Sequence, residues 1–549
     1  MKNRSLKAIL VSIIALSFNL LFAVSDNGQV KNVIIMIPDG MSAGGVSLAR
    51  WYNGGEPFSF DPLISGLVRT YWANGPITDS APAATAYATG YKSTSGFISV
   101  MPDVATMYKT TPVKEENARS PLATILEGTK LSGKATGLVA TSNIQHATPA
   151  GFSSHYYDRN NYQILGEQQL YNGIDVMLGG GSKFLQNRTD GEDLIEVIKA
   201  KGYDYVTTSD EMAKSKGNKI WGAFAPEGML HDIDRAVINP NEPSLAEMTA
   251  KALSILSQDR NGFFLMVEGS EIDWSAHAND PVGVISDILA FDKAVKIALD
   301  FAKKDGNTAL IIMTDHGNGG ITIGNSATNS DYDKVPLSKF LDPLKKAKLS
   351  GLGLGNKFNS DKSNIREVLS TYYGITDLTD DEVTAIAAAH ADKLDYTTGP
   401  IISKRAFIGW TTHGHTGEDI ALYTYIPKGE KLSGYIQNTD IARYVARVMD
   451  FDLDKLTSKL YVNAIPALKA MDEVSYQITS PNNPALVITK GDDTISIPSN
   501  KNYFTVNGKN IETKSVSVYI SDSKFYVSQE VIDYLKEDMK NNNEQENQS

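Results

Sequence analysis

Residues 33–40 read VIIMIPDG, and two later stretches repeat the pattern, FFLMVEG at 263–269 and ALIIMTDHG at 309–317. Each is a short apolar run that ends abruptly in an acidic residue beside glycine: Asp39, Glu268, and Asp315 with His316. Continuous apolar runs of this length read as strands covered on both faces, as in parallel sheets. Helical patterns lie between them, notably PSLAEMTAKALSILSQD at 243–259 and DPVGVISDILAFDKAVKIALDFAKKDG at 280–306. Strands alternating with helices imply an α/β fold with a doubly wound, mostly parallel central sheet flanked by helices. Ligands of such sheets bind outside the carboxyl ends of the strands, where all these acids stand. A single strand ending in Asp-Gly is usually a turn; three of them, one carrying a histidine, point to one site.

The rest of the chain frames that sheet. Its 549 residues can bury a large core, and 42% hydrophobic with 21% charged residues is ordinary for a globular protein. Lys2, Arg4 and Lys7 precede an uncharged apolar run to Val24-Ser25, so residues 1–25 read as a signal peptide, with a retained anchor as the alternative. The protein is therefore expected to be exported, periplasmic or secreted, with no later stretch apolar enough to span a bilayer. Removing that segment takes away three positive charges and moves the formal charge from −12 to −15. Such an acidic surface argues against a nucleic-acid partner, and an anionic substrate then needs a local positive feature such as bound metal. Cysteine is absent, which excludes thiol catalysis and Cys-ligated metal.

Residues 26–470 read as the catalytic part, interrupted at about 325–405 by an inserted subdomain or lid with a glycine-rich LSGLGLGNKF and short helical patterns. LGGGS at 178–182 reads as a structural turn. From 471 to 540 the texture becomes β-rich, with Asn507-Gly508 as a hairpin signal, and 541–549 form a polar tail expected to be disordered.

Two further stretches bear on the chemistry. Asp273 and His277 lie four apart and share a helical face, so they can grip one cation. Only eight histidines occur, and His277, His316 and His415 have acidic or glycine-rich neighbours rather than an apolar stripe to pack into. Imidazole with carboxylate suits zinc, while carboxylate, hydroxyl and water suit magnesium. In ITDSAPAATAYATG at 77–90, Ser80 stands before a run of small residues. A helix cap is the plain reading of that serine. It is compatible with a reactive hydroxyl, because helix N-terminal N–H groups favour an anionic phosphate.

Six motifs then occur in the order found in alkaline phosphatases: DSAPAATAYATG (79–90) ahead of Lys92, HATPAGFSSHYYDR (146–159), VMLGGG (176–181), VEGSEIDWSAH (267–277), TDHG (314–317) and HTGED (415–419). The chain resembles that family over residues 30 to 465, the insertion excepted. The resemblance implies a homodimeric phosphomonoesterase that releases alcohol and inorganic phosphate through a phosphoserine, by in-line attack of a zinc-bound serine. Ser80 falls at the nucleophile, and Asp273, His277 and His415 at the first zinc. Asp39, Asp315 and His316, with Ser80, fall at the second zinc. Asp39, Thr148 and Glu268 fall at a third metal, usually magnesium. Arg159 falls at the arginine that grips substrate phosphate. His146 and Trp274 depart from commoner residues beside the third metal and the phosphate, which leaves cobalt open there. His413 and His155 receive no role in catalysis, His155 reading as structural.

Rival readings are a sulfatase or phosphodiesterase of the same superfamily, and a non-catalytic metal- or phosphate-binding protein. The first is weakened by Ala84 where a sulfatase needs arginine, and the second by the filled nucleophile, ligand and arginine positions.

Overall fold

The computed structural model describes residues 29–536 except 111, 472–473 and 480–482. The expected signal peptide and the polar tail lie outside the described residues. Ten strands form the central sheet: β1 (Asn32–Pro38), β2 (Ile64–Arg69), β3 (Ala135–Asn143), β4 (Val176–Gly180), β5 (Asp204–Val206), β6 (Ile220–Ala223), β7 (Phe263–Gly269), β8 (Thr308–Met313), β9 (Ile420–Tyr425) and β10 (Gly434–Gln437). Their order is β10-β2-β9-β8-β1-β7-β3-β4-β6-β5. Only β9 opposes the common direction, pairing antiparallel with both β2 and β8.

The three apolar runs are neighbours, β8-β1-β7, and every residue in them is buried. Alternation explains how one strand can be apolar throughout. Ile34, Met36, Leu265, Val267, Leu310 and Ile312 face one core, while Val33, Ile35, Phe264, Met266 and Ile311 face the other. Register places Ile37 beside Glu268 and Met36 beside Ile312, so the acids at the three strand ends are brought level.

Two short helices reach the same edge: α1 (Ser80–Thr89) and α2 (Ala147–Ser153). Next come α3 (Leu245–Leu256), α4 (Glu271–His277) and α5 (Pro281–Asp305). α3 starts in a reciprocal Ser244–Glu247 capping box; α5 starts at Asp280 with Pro281 as its first residue and stops at left-handed Gly306. Within 325–405 lie α6 (Leu337–Lys345), α7 (Ile365–Tyr373), α8 (Asp380–Ala388) and α9 (Asp395–Arg405).

The glycine run after β3 differs from its expected turn: Gly179 and Gly180 continue β4, and the bend comes at Gly181, φ 98°. A side chain at Gly180 has no room, since its Cβ would stand 1.8 Å from the carbonyl oxygen of Glu227. The C-terminal region holds a five-stranded antiparallel sheet over residues 475–512. A three-stranded one joins Val462–Asn463 to Val518–Ser521 and Lys524–Val527. Asn507 and Gly508 both have positive φ, 49° and 81°, as a two-residue hairpin turn requires. Among the described residues no helix is long and apolar enough to cross a membrane.

Candidate active site

The carboxyl ends of β1, β7 and β8 collect the acids. Asp39 follows β1, and the turn behind it needs Gly40, whose φ is 68° and whose Cβ would stand 2.6 Å from Asp273 Oδ1. Gly40 N donates to Asp315 Oδ1 at 3.2 Å, which ties the ends of β1 and β8 together. Glu268 is still within β7 and accepts from Ser142 Oγ at 3.4 Å. Thr148, buried on α2 beside the Glu268 carboxyl, has a hydroxyl without a hydrogen-bond partner.

His316 sits among them with its side chain fully buried. Its Nε2 is 3.0 Å from Asp315 Oδ2, 3.6 Å from Asp39 Oδ1 and 3.2 Å from Ser80 Oγ. A second group adjoins it. His277 Nε2 lies 3.4 Å from Asp273 Oδ2 and 3.1 Å from His415 Nε2, and His415 Nε2 lies 3.7 Å from Asp273 Oδ1. The His316 and His415 rings stack at 3.6 Å between the two groups. Candidate donor atoms of Asp39, Asp315 and His316, and likewise of Asp273, His316 and His415, fall within 4.8 Å of one another.

Tautomers follow from partners, because a carbonyl oxygen only accepts. His277 Nδ1 faces His413 O at 2.6 Å and His415 Nδ1 faces Thr78 O at 2.8 Å, so each Nδ1 carries a proton and each Nε2 is the nitrogen turned toward Asp273. Asn318 Nδ2 orients Asp273 through Oδ1 at 2.7 Å.

These donors fit divalent cations. Asp39 Oδ1, Glu268 Oε1 and Asp315 Oδ2 are buried without a hydrogen-bond partner. Burial, then the charges of Asp315, Asp273 and Glu268, hold the Asp39 carboxyl well above the usual carboxylate range. Burial and the Asp315 charge push Glu268 up to about 7. Burial disfavours a charged His316, yet Asp315 and Asp273 raise it to about 9. Burial also opposes charge on Asp273, but the hydrogen bond and charge of His277 and the charges of His316 and His415 hold it far below the usual range. Carboxylates packed this closely repel one another, and a cation among them removes the repulsion.

Ser80 is the first helical residue of α1, not its cap. The cap is Asp79, whose side chain makes no capping bond. It pairs instead with Arg159 Nη1 and accepts from Gly96 N at 2.9 Å. Arg159 Nη2 meets His146 Nε2 at 3.0 Å; a guanidinium only donates, so His146 is neutral with its proton on Nδ1. Burial and the Arg159 charge accordingly push His146 down to about 3. Trp274 stands edge-on to His146 at 5.8 Å. Thus the structure gathers Asp39, Ser80, His146, Thr148, Arg159, Glu268, Asp273, Trp274, His277, Asp315, His316 and His415 in one cluster.

Sequence reading passed over Asp79, Asn318 and His413. The signal for Asp79 was its place next to Ser80; Asn318 and His413 are recognisable only through contacts made far along the chain.

Comparison with known proteins places this cluster in a family. The alkaline phosphatase family model matches residues 30–451. Alkaline phosphatase 3 of Bacillus subtilis is 37% identical over 446 residues, covering 77% of this chain and 90% of its own. The repressible alkaline phosphatase of Saccharomyces cerevisiae is 33% identical over 511 residues, 82% of this chain and 87% of its own. The crystal structure of Thermus thermophilus alkaline phosphatase superposes with a TM-score of 0.68 at 28% identity, over 77% of this chain and 92% of that one. Because the family model runs over most of the chain and the relatives match it over most of their own length, the chain belongs to the alkaline phosphatase family and hydrolyses phosphate monoesters.

Proposed function

We propose that Ser80 is the nucleophile of this hydrolase and that turnover passes through a phosphoserine. The observation that carries this reading is the position of Ser80 Oγ, at the N-terminus of the ten-residue α1 and 3.2 Å from His316 Nε2, with Asp39 and Asp315 beside that imidazole.

Asp273, His277 and His415 would hold one zinc ion, and Asp39, Asp315, His316 and Ser80 a second. Asp39, Thr148 and Glu268 offer oxygen donors for a third ion, magnesium by donor type, with cobalt an alternative beside His146. A variant of the alkaline phosphatase of the Antarctic bacterium TAB5, with glutamate in place of a histidine, was solved with Mg in its M3 site (27% identity, TM-score 0.54). Such cations, when bound, lower the pKa of a coordinated hydroxyl and offset charge on the attacking and leaving oxygens.

The chain's own part is attack and positioning. Ser80 Oγ forms the new O–P bond as the ester P–O bond breaks, releasing the alcohol. Water then displaces Ser80 Oγ from phosphorus and restores the hydroxyl with inorganic phosphate. Arg159, steadied by Asp79 and His146, presents a fork that holds two equatorial oxygens, and the first N–H groups of α1 favour the same anion. The amino-terminal segment supports export, and the family supports a homodimer.

Replacing Ser80 by alanine tests the assignment. Turnover of an aryl phosphate is expected to fall by at least about 10³-fold while elemental analysis finds the metal content retained. A loss below about tenfold would remove Ser80 from the role. Aryl sulfate turned over faster than aryl phosphate by the unaltered chain would remove the monoesterase itself.

A further inference from the structure

The two cation groups are held very differently. Asp315 and His316 are fully buried at the end of β8, where the sheet enforces their geometry. The side chains of His277 and His415 are 26% and 15% exposed, the first on the last turn of a seven-residue helix and the second on a two-residue strand, His415–Thr416, paired with Gly317–Asn318 just beyond β8. Strand pairing ties His415 to the end of β8, so the separation of the two imidazoles depends on what holds His277.

What reaches them is α9, from the inserted segment. Its residues Tyr396, Gly399 and Ser403 recur at helical spacing and share one face. Gly399 permits a close approach: a Cβ there would lie 2.8 Å from the carbonyl oxygens of both Ala278 and Asn279, immediately after His277. Ser403 Oγ donates to Asn279 O at 3.1 Å and accepts from Trp410 Nε1 at 2.9 Å. The Tyr396 ring stacks on His413, centroids 5.6 Å apart with 22° between planes.

His413 then closes a reciprocal pair with His277. Its Nδ1–H donates to His277 O at 2.8 Å, while its own carbonyl accepts the Nδ1–H of His277 at 2.6 Å. One residue thereby fixes the backbone of His277 and the tautomer of its ring, two positions before His415. Asn279, left-handed with φ 54°, adds a bridge: with its amide oxygen and nitrogen assigned so that the nitrogen faces the two carbonyls, it donates to Ala276 O at 3.1 Å and Thr412 O at 3.0 Å.

We propose that His413 and the Tyr396–Gly399–Ser403 face of α9 are positioning residues for the His277–His415 cation site, so that the inserted segment braces one of the hydrolase's cation sites. This rests on the reading that Asp273, His277 and His415 hold a cation. Groups that orient a metal-ligating histidine typically change metal affinity by about 10–100-fold when removed.

The test follows zinc release from the loaded enzyme with a chromophoric chelator, alongside KM and kcat. His413→Ala and Gly399→Ala are expected to speed release of one ion per chain by about tenfold or more and to leave the slower ion unchanged. His413→Asn, whose amide can still donate to His277 O, is expected to restore slow release. Should Gly399→Ala fail to fold, Ser403→Ala reports the same contact through the loss of one hydroxyl. His415→Ala, the control, is expected to lose the fast ion altogether. If the control loses the ion but every α9 and His413 variant releases it at the parental rate, the brace is refuted and the site stands. If the control keeps the ion, the site reading fails and the brace with it.

Discussion

Asp79 shows how a residue outside the cation groups bears on catalysis. It precedes Ser80 and caps α1 by position, but its carboxylate turns to Arg159 and Gly96. Burial works against its charge, yet Arg159 and the Gly96 N–H hold it below the usual carboxylate range, so it stays ionised and keeps the guanidinium aimed. Because no capping bond is at stake, Asp79→Ala separates aiming from folding. We expect KM for an aryl phosphate and the inhibition constant for inorganic phosphate to rise together by about fivefold, roughly 1 kcal/mol. The value of kcat should not fall in proportion, because Ser80, His316, Asp39 and Asp315 are unaltered. Unchanged phosphate inhibition would show that Arg159 is aimed without Asp79. Part of the cluster was legible from residue type and place: Asp39, Glu268 and Asp315 at strand ends, and Ser80, Arg159 and Thr148 through the family resemblance. Asp79, Asn318 and His413 were not, since their roles arise from partners brought near only by the fold, such as Asn318 with Asp273.

α1 illustrates the same limit for elements. Its run of small residues packs closely on α2: a Cβ at Gly151 would stand 2.6 Å from Ala84 Cβ and 3.2 Å from the Ala84 carbonyl carbon. These helices carry Ser80 and Thr148, so their spacing sets the distance between two parts of the site. In Gly151→Ala two effects oppose. Alanine is the better helix former by about 1 kcal/mol, whereas overpacking a close contact costs about 1–3 kcal/mol. At 2.6 Å the clash is expected to win, lowering the thermal midpoint and reducing kcat severalfold. Ala84→Gly in the same chain should recover part of both; strictly additive losses would mean that the helices do not bear on each other there. Parallel strands were readable because β1, β7 and β8 are buried on both faces and leave an uninterrupted apolar run. Their spatial order was not, nor was the reversed direction of β9, because periodicity reports burial and not neighbours. Gly179 and Gly180 misled for a related reason: they read as turn residues, but Gly180 is needed inside β4 for its contact with the Glu227 carbonyl.

At the scale of the molecule, the C-terminal sheets are tied to the catalytic body through a buried cluster near the Arg159 loop. Glu127, on the helix Ile125–Leu131, lies 3.2 Å from His155 Nε2 and accepts the Tyr461 hydroxyl, which is also 2.7 Å from His155 Nε2. Tyr461 leads into Val462–Asn463, the strand that pairs with Val527 and Tyr526. On the other side His155 N donates to Gln168 Oε1 at 2.7 Å, and Gln168 Nε2 donates to Asn500 Oδ1 at 3.0 Å. The structural reading of His155 is thereby given content: it couples the segment before Arg159 to Tyr461, where the C-terminal region begins, and through Gln168 to Asn500 between two of its strands. Burial opposes a charged Glu127, but His155, Tyr461 and the Thr124 N–H hold its carboxyl below the ordinary 4.5. A depressed carboxylate stabilises the fold at pH values above its unfolded value, and that contribution is lost as pH falls through the folded one. Glu127→Gln should therefore lower the thermal midpoint at pH 7, where hydrogen bonds to a charged group are worth about 1.5–3 kcal/mol. The gap between variant and parent should narrow as pH drops below about 4.5 toward 3, because the parent then loses the charge that the variant never had. Thermal unfolding from pH 7 to pH 3, run in parallel on both proteins, cancels the titration of the cation-binding acids they share. A gap that stays constant across that range would place the tie in packing rather than in the Glu127 charge.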